Sequence, residues 1–345
     1  MAKTALGENN AFVPSHEGSK RLMVNYSRNV KKFAVNKYMQ IVPVDNSLAY
    51  YLEMDVEAAG RVMTTDDSDI VWPDGAPAPS GNPNQREFEF IPFKTRRLAL
   101  PFNLGDKGVK QASWDIVGSH SDANAQNMMT RRTQRACNLF TTEANHQSGH
   151  VIDVSTIATG TWRQSTTQRQ TIKRSIRTLQ EKLLDATLAA IKEDDLQLVI
   201  NSDLAAGLSE CQEIVDYIKG SPLALAQVKG ELTASNDNSM YDLPAKLYGV
   251  NLVVEKTRKA TNKRGATRAV SQVLASSTPF MTARPGSLVG TYGSPSFSGG
   301  TFFVFEELKV ETFRDRKNRR TEGRTVDDYK DVLTAPAACG MFKNA

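Results

Sequence analysis

Four prolines fall within the eleven residues Pro73-Asp-Gly-Ala-Pro-Ala-Pro-Ser-Gly-Asn-Pro83. Each removes a backbone donor and restricts the residue before it, so the segment is neither helix nor central strand but a loop tip. Strand-like chain flanks it on both sides. Upstream, the pair Tyr50-Tyr51 opens a strand after the polar break Asp45-Asn46-Ser47. Downstream, Phe88 and Phe90 alternate with Glu87 and Glu89 at period two, the pattern of a strand with one apolar face. Residues 46–110 thus read as a long hairpin with few core residues of its own. Two strands alone are marginal in water, so its phenylalanine face should rest on another surface.

The rest of the chain supplies a body. Of 345 residues, 40% are hydrophobic and 23% charged, enough apolar material for a core and too little charge for wholesale disorder. The length suggests about two domains. No apolar run approaches the ~18 residues of a membrane span, and the first residues lack a signal-peptide pattern. Cys137, Cys211 and Cys339 are odd in number and scattered, which fits reduced thiols rather than a disulfide framework.

Residues 1–36 read as an extended arm in which Lys20, Arg21, Arg28, Lys31 and Lys32 outnumber Glu8 and Glu17. Ile41, Val42 and Val44 form a short strand. Residues 121–145 predict a helix capped by Ser121 or Asp122, with Ala125, Met129, Ala136 and Phe140 near one face. Arg131, Arg132 and Arg135 form a positive patch on its remaining surface. A second helix follows a capping box at Ser165-Thr-Thr-Gln168, with Ile172, Ile176, Leu179, Leu183, Ala186 and Ala190 at steps of three and four. Residues 196–200 are a buried strand. Asp203 caps a third helix that Gly220 closes. Residues 247–256, 269–276 and 302–313 read as strands, the first running into Lys256, Arg258, Lys259, Lys263 and Arg264. The chain closes with a hairpin whose turn, near Asp315 to Asn318, sits amid Arg314, Arg316, Lys317, Arg319 and Arg320.

Signatures of chemistry are scarce. There is no phosphate loop, no dinucleotide fingerprint and no nucleophile elbow. His146 and His150 are four apart, but Gln-Ser-Gly lies between them where a helix has ended, so surface histidines are the plainer reading than zinc ligands. The runs Asp66, Asp67, Asp69 and Glu193, Asp194, Asp195 read as loop and helix-end charges rather than a magnesium site. No catalytic residue, metal site or cofactor is expected. A net charge of +5 permits phosphate contact, while the basic clusters lack the interleaved aromatics that stack bases.

The order of parts resembles the major capsid proteins of tailed bacteriophages, the HK97-like fold. The closest likenesses in texture are MQIVPVDNSLAYYLEMDVEAAGR and the closing RDRKNRRTEGRTVDDYKDVLTAPAACG. The resemblance implies an α+β chain divided into an N-arm (1–38), a first P-domain strand (39–45), an E-loop (46–111), a spine helix (112–148), an A-domain (149–308) and a P-domain closing hairpin (309–345). It implies hexamers and pentamers closing into an icosahedral shell around double-stranded DNA, in a virion assembled in a bacterial cytoplasm. Partners would be copies of the chain itself, with separate scaffolding, portal and decoration proteins and no membrane. Phe88, Phe90, Phe93, Arg96 and Arg97 would contact an adjacent subunit through the E-loop. Arg314, Arg316, Lys317, Arg319 and Arg320 would make contacts at the P-domain tip. Lys31, Lys32, Arg131, Arg132 and Arg135 would face DNA. Lys94, Lys107 and Asn344 are of the types that other members cross-link, but nothing in the sequence fixes their geometry. An encapsulin-like compartment, or an enzyme with an unrecognised site, are the competing readings.

Overall fold

The computed structural model describes residues 33–54, 72–77, 88–112, 114–157, 160–219, 241, 243–263, 265–286 and 298–345. In chain order the strands are β1 (Met39–Pro43), β2 (Leu48–Met54), β3 (Phe88–Lys94), β4 (Arg96–Gly105), β5 (Val151–Asp153), β6 (Leu196–Asn201) and β7 (Lys246–Leu247). They continue as β8 (Val250–Glu255), β9 (Arg258–Ala260), β10 (Val270–Gln272), β11 (Phe280–Ala283), β12 (Gly300–Asp315), β13 (Arg320–Leu333) and β14 (Cys339–Lys343). The helices are α1 (Val35–Tyr38), α2 (Asp106–Gln111), α3 (Ile116–Thr141), α4 (Val154–Ile157), α5 (Thr171–Ala186), α6 (Ser202–Ser209) and α7 (Gln212–Lys219).

A six-stranded sheet in the order β5-β14-β11-β6-β8-β7 forms the heart of the chain. Every residue of β6 is buried, and the pleat sends its side chains to opposite cores. Leu196, Leu198 and Ile200 join the cluster under α5, α6 and α7. Val199 joins the one that holds Phe33, Tyr38, Met129 and Phe140. A strand covered on both faces carries a nearly continuous apolar run, and the one polar residue of LQLVI, Gln197, donates to Lys37 O at 3.2 Å. β5, β11 and β14 are too short and irregular in pattern to announce themselves, yet they complete this sheet.

The predicted helices exist with shifted ends. α3 begins at Ile116, because the Asp115 carboxylate accepts the Gly118 amide at 2.8 Å. Ser121 turns its hydroxyl to Val117 O instead of capping. Ser165-Thr-Thr-Gln168 does not make a capping box. α5 starts at Thr171, and the carboxylate of Glu213, reaching from α7, accepts the Ile172 and Lys173 amides at 3.2 and 3.0 Å. Asn201, not Asp203, caps α6 by accepting the Leu204 amide at 2.7 Å. The expected third helix is two, broken around Glu210 and Cys211. Gly220 lies outside the described residues.

The second sheet runs β1-β12-β13-β4. β12 and β13 pair along almost their whole length, with bulges between Val304 and Lys309. β4 pairs with β13 from Arg96↔Tyr329 to Gly105↔Arg320. The long hairpin is therefore shorter than its sequence suggests: β2 and β3 form it, while 96–105 belong to the body. The expected boundary at 308/309 falls inside β12, at its bulges. The C-terminal strand β14 lies in the six-stranded sheet beside β11 and β5. Residues 33–38, read as the end of the arm, are core, with Phe33, Val35 and Tyr38 buried.

Candidate assembly surfaces

The β2–β3 hairpin presents two faces of unequal fate. Strand register places Tyr51 opposite Ile91 and Leu52 opposite Phe90. On the inner face, Phe93 stacks on Phe303 with ring centroids 4.1 Å apart, and Tyr51 lies 5.9 Å from the same ring. Phe93 is buried, so it is not free for another subunit, a correction to the sequence reading. Phe303 from β12 offers it a partner within the chain. The outer face carries Leu48, Tyr50, Leu52 and Phe90, exposed by 59, 62, 51 and 65%. The Phe88 side chain lies outside the described residues.

The inner face also holds a charge conflict. Glu53 and Glu89 stand directly opposite across the ladder, where like charges destabilise a sheet. Burial and the Glu89 carboxylate push the Glu53 carboxyl above its ordinary range. Burial, with both glutamates adding, pushes the Tyr51 phenol up to about 12.

A second surface lies where the β12–β13 turn meets α2. Asp315 accepts the amides of Lys317 and Asn318 at 2.9 and 3.2 Å, which shapes the turn. Asn318 holds the Asp315 carboxyl below its usual range. The Asp106 amide donates to Arg319 O at 3.0 Å, and its carboxylate takes Arg314 at 2.7 Å. Arg320 is held by Asp315 and Glu322. Lys107, Lys110, Arg316 and Arg319 line a cleft of about 870 Å³ with Asp106 and Arg314. Sequence reading found this cluster but missed α2 as its other wall.

The helix patch does not survive as a patch. Arg132 is buried and reaches Asp327 at 2.5 Å, its guanidinium over the Tyr329 and Phe302 rings at 4.6 and 5.2 Å. Burial pushes the Asp327 carboxyl up, with Arg132 opposing. Arg135, half-buried, pairs with Asp331. Only Arg131 of the three stays exposed. Asp327 and Asp331, four residues apart on one face of β13, were the available signal, since buried carboxylates need cations. Arg96 and Arg97 begin β4 rather than extending the hairpin, and Arg97 lies 3.5 Å from both Glu306 and Asp328. Lys31 and Lys32, with the rest of the arm, fall outside the described residues, as do Asp66, Asp67 and Asp69.

The remaining candidates for chemistry are structural. His146 and His150 each bond a backbone carbonyl, Phe140 O at 2.7 Å and Cys339 O at 3.0 Å. Asp194 pairs with Lys246 and Asp195 with Arg284. Cys137, Cys211 and Cys339 are free and buried. Among the described residues no cluster of His, Cys, Asp and Glu suits a metal, and no helix is long and apolar enough to cross a membrane.

A long helix clamped to a four-stranded sheet, a sandwiched six-stranded sheet and a projecting hairpin make up an α+β, HK97-like fold, that of tailed-phage major capsid proteins. A phage-related protein of Bordetella bronchiseptica RB50 matches with a TM-score of 0.60 at 13% identity, over 91% of this chain and 93% of that one. The mature capsid of bacteriophage PhiM1 matches at 0.58 and 13% identity, over 96 and 92%. The capsid of the cyanophage P-SCSP1u matches at 0.54 and 12% identity, over 99 and 95%. No protein-family model matches the sequence, and no curated protein does.

Proposed function

We propose that this chain is a structural, non-enzymatic shell subunit, a major capsid protein of a virion that encloses double-stranded DNA. The observation that carries the reading is the outer hairpin face. Leu48, Tyr50, Leu52 and Phe90 share it, each more than half exposed, and a face of that size on a two-stranded ribbon needs a cover. A second copy of the chain supplies it, so that hairpins link neighbours within hexamers and pentamers. The tip cleft adds a second contact. Residues 53–74 carry Glu53, Asp55, Glu57, Asp66, Asp67, Asp69 and Asp74 against the single cation Arg61. That acidity complements Arg316, Lys317 and Arg319 of a neighbour. Spreading contacts over several weak sites lets misplaced subunits dissociate. The division into N-arm, E-loop, spine helix, A-domain and P-domain, assembly in the bacterial cytoplasm, and separate scaffolding, portal and decoration proteins belong to the same proposal.

The test is negative-stain microscopy of the chain produced with the other structural proteins of its source. Closed particles containing DNA are expected, and deletion of residues 73–84 should abolish them while the chain stays folded. Normal particles from the deletion variant would refute the hairpin's role. Particles filled with protein cargo and free of nucleic acid would favour a compartment instead.

A further inference from the structure

Apart from Arg284, which pairs with Asp195, the basic residues after β8 have no part in the contacts above. From residue 256 to residue 305 the sequence contains no aspartate or glutamate, yet it carries Lys256, Arg258, Lys259, Lys263, Arg264, Arg268 and Arg284. The middle of this stretch folds as a separate two-stranded ribbon, β9 with β10, outside both main sheets. Arg258, Lys263 and Arg268 are exposed on it and Lys259 partly so. Its root is firm: Thr257 and Val273 are buried, and the Val273 amide donates to Thr257 O at 3.1 Å.

The same root meets the start of the body. Tyr38 donates to Glu255 Oε2 at 3.1 Å, and Glu255 Oε1 accepts the Thr257 amide at 2.9 Å. One carboxylate thus ties α1 to the residue before Arg258.

We propose that the β9–β10 ribbon is a sequence-independent binding surface for the phosphates of duplex DNA. The chemistry favours that ligand. An array of exposed Arg and Lys with no carboxylate in its own segment raises a positive local potential. Residues 256–279 contain no Phe, Tyr or Trp, so there is nothing for single-stranded bases to stack on. An acidic protein segment would want an apolar anchor beside the charges, and Val270 is the one large apolar side chain exposed along the ribbon. With Arg132 and Arg135 committed to Asp327 and Asp331, the ribbon takes the role that the helix patch was expected to play. The proposal rests on the shell reading for its setting, and its test does not depend on particle formation.

The experiment measures binding of the dispersed full-length chain to a random-sequence duplex of about 30 base pairs by fluorescence anisotropy, between about 50 and 200 mM salt. The variant replaces Arg258, Lys259, Lys263 and Arg268 together with Gln. Affinity should fall at least about tenfold at the low-salt end, and the slope of log K against log salt should shrink by about three. A control variant, Arg316→Gln with Lys317→Gln, should stay within about twofold of the parent. Unchanged affinity and slope in the ribbon variant, with its melting temperature intact, would overturn the assignment. So would binding of a peptide spanning residues 53–74 in preference to the duplex. Loss of particles in the ribbon variant with duplex binding retained would also overturn it, leaving the shell reading standing.

Discussion

Phe90 and Phe93 are three residues apart on one strand, and the structure assigns them opposite energetic roles. Phe93 stacks against Phe303 within the chain, whereas Phe90 is 65% exposed. A phenylalanine buries about 150–250 Å² when covered. The exposed share of Phe90 thus corresponds to about 100–160 Å², or about 2–3 kcal/mol per intersubunit contact after imperfect covering. Phe90→Ala should leave the unassembled chain's stability within about 0.5 kcal/mol of the parent. It should weaken each pairwise contact by roughly 30- to 150-fold. Phe93→Ala should instead cost about 3–5 kcal/mol of folding stability, because it empties a packed aromatic stack. Urea unfolding of the dispersed chain reads the first quantity, and light scattering against protein concentration reads the threshold for particle formation. An unchanged threshold in Phe90→Ala, or equal unfolding midpoints for Phe93→Ala and the parent, would refute the division of labour between the two faces.

The buried pair of Arg132 on α3 and Asp327 on β13 should behave non-additively: Asp327→Leu alone should cost about 3–5 kcal/mol, and the double variant Arg132→Met with Asp327→Leu distinctly less, read by the same urea unfolding in a double-mutant cycle. The Glu53 carboxyl titrates above its ordinary range in the fold, so the native hairpin binds a proton more readily than the unfolded chain. Its destabilisation is therefore full above the raised value and is relieved as pH falls towards the ordinary one. Hydrogen exchange corrected for intrinsic pH effects should show β2–β3 amides better protected on mild acidification, and Glu53→Gln should remove that dependence.

Much of the architecture could be read from local pattern, because the forces behind it are local. Prolines at 73–83 dictate a loop tip, Ile172 to Leu183 mark a buried helical face, and the mostly apolar LQLVI marks a buried strand. The resemblance to a shell fold followed from the order of such pieces. What the sequence could not assign was the partner of each charged or aromatic group. Arg132 reads as surface until Asp327, 195 positions away, is brought beside it. Phe93 reads as a docking residue until β12 delivers Phe303. Ser165-Thr-Thr-Gln168 reads as a capping box until Glu213, from another element, takes the Ile172 and Lys173 amides of α5. Periodicity tells which face of an element is apolar, since the backbone repeat fixes it. Which surface that face meets, and which ions are neutralised within the chain, depends on contacts between distant segments, and only the tertiary packing creates those.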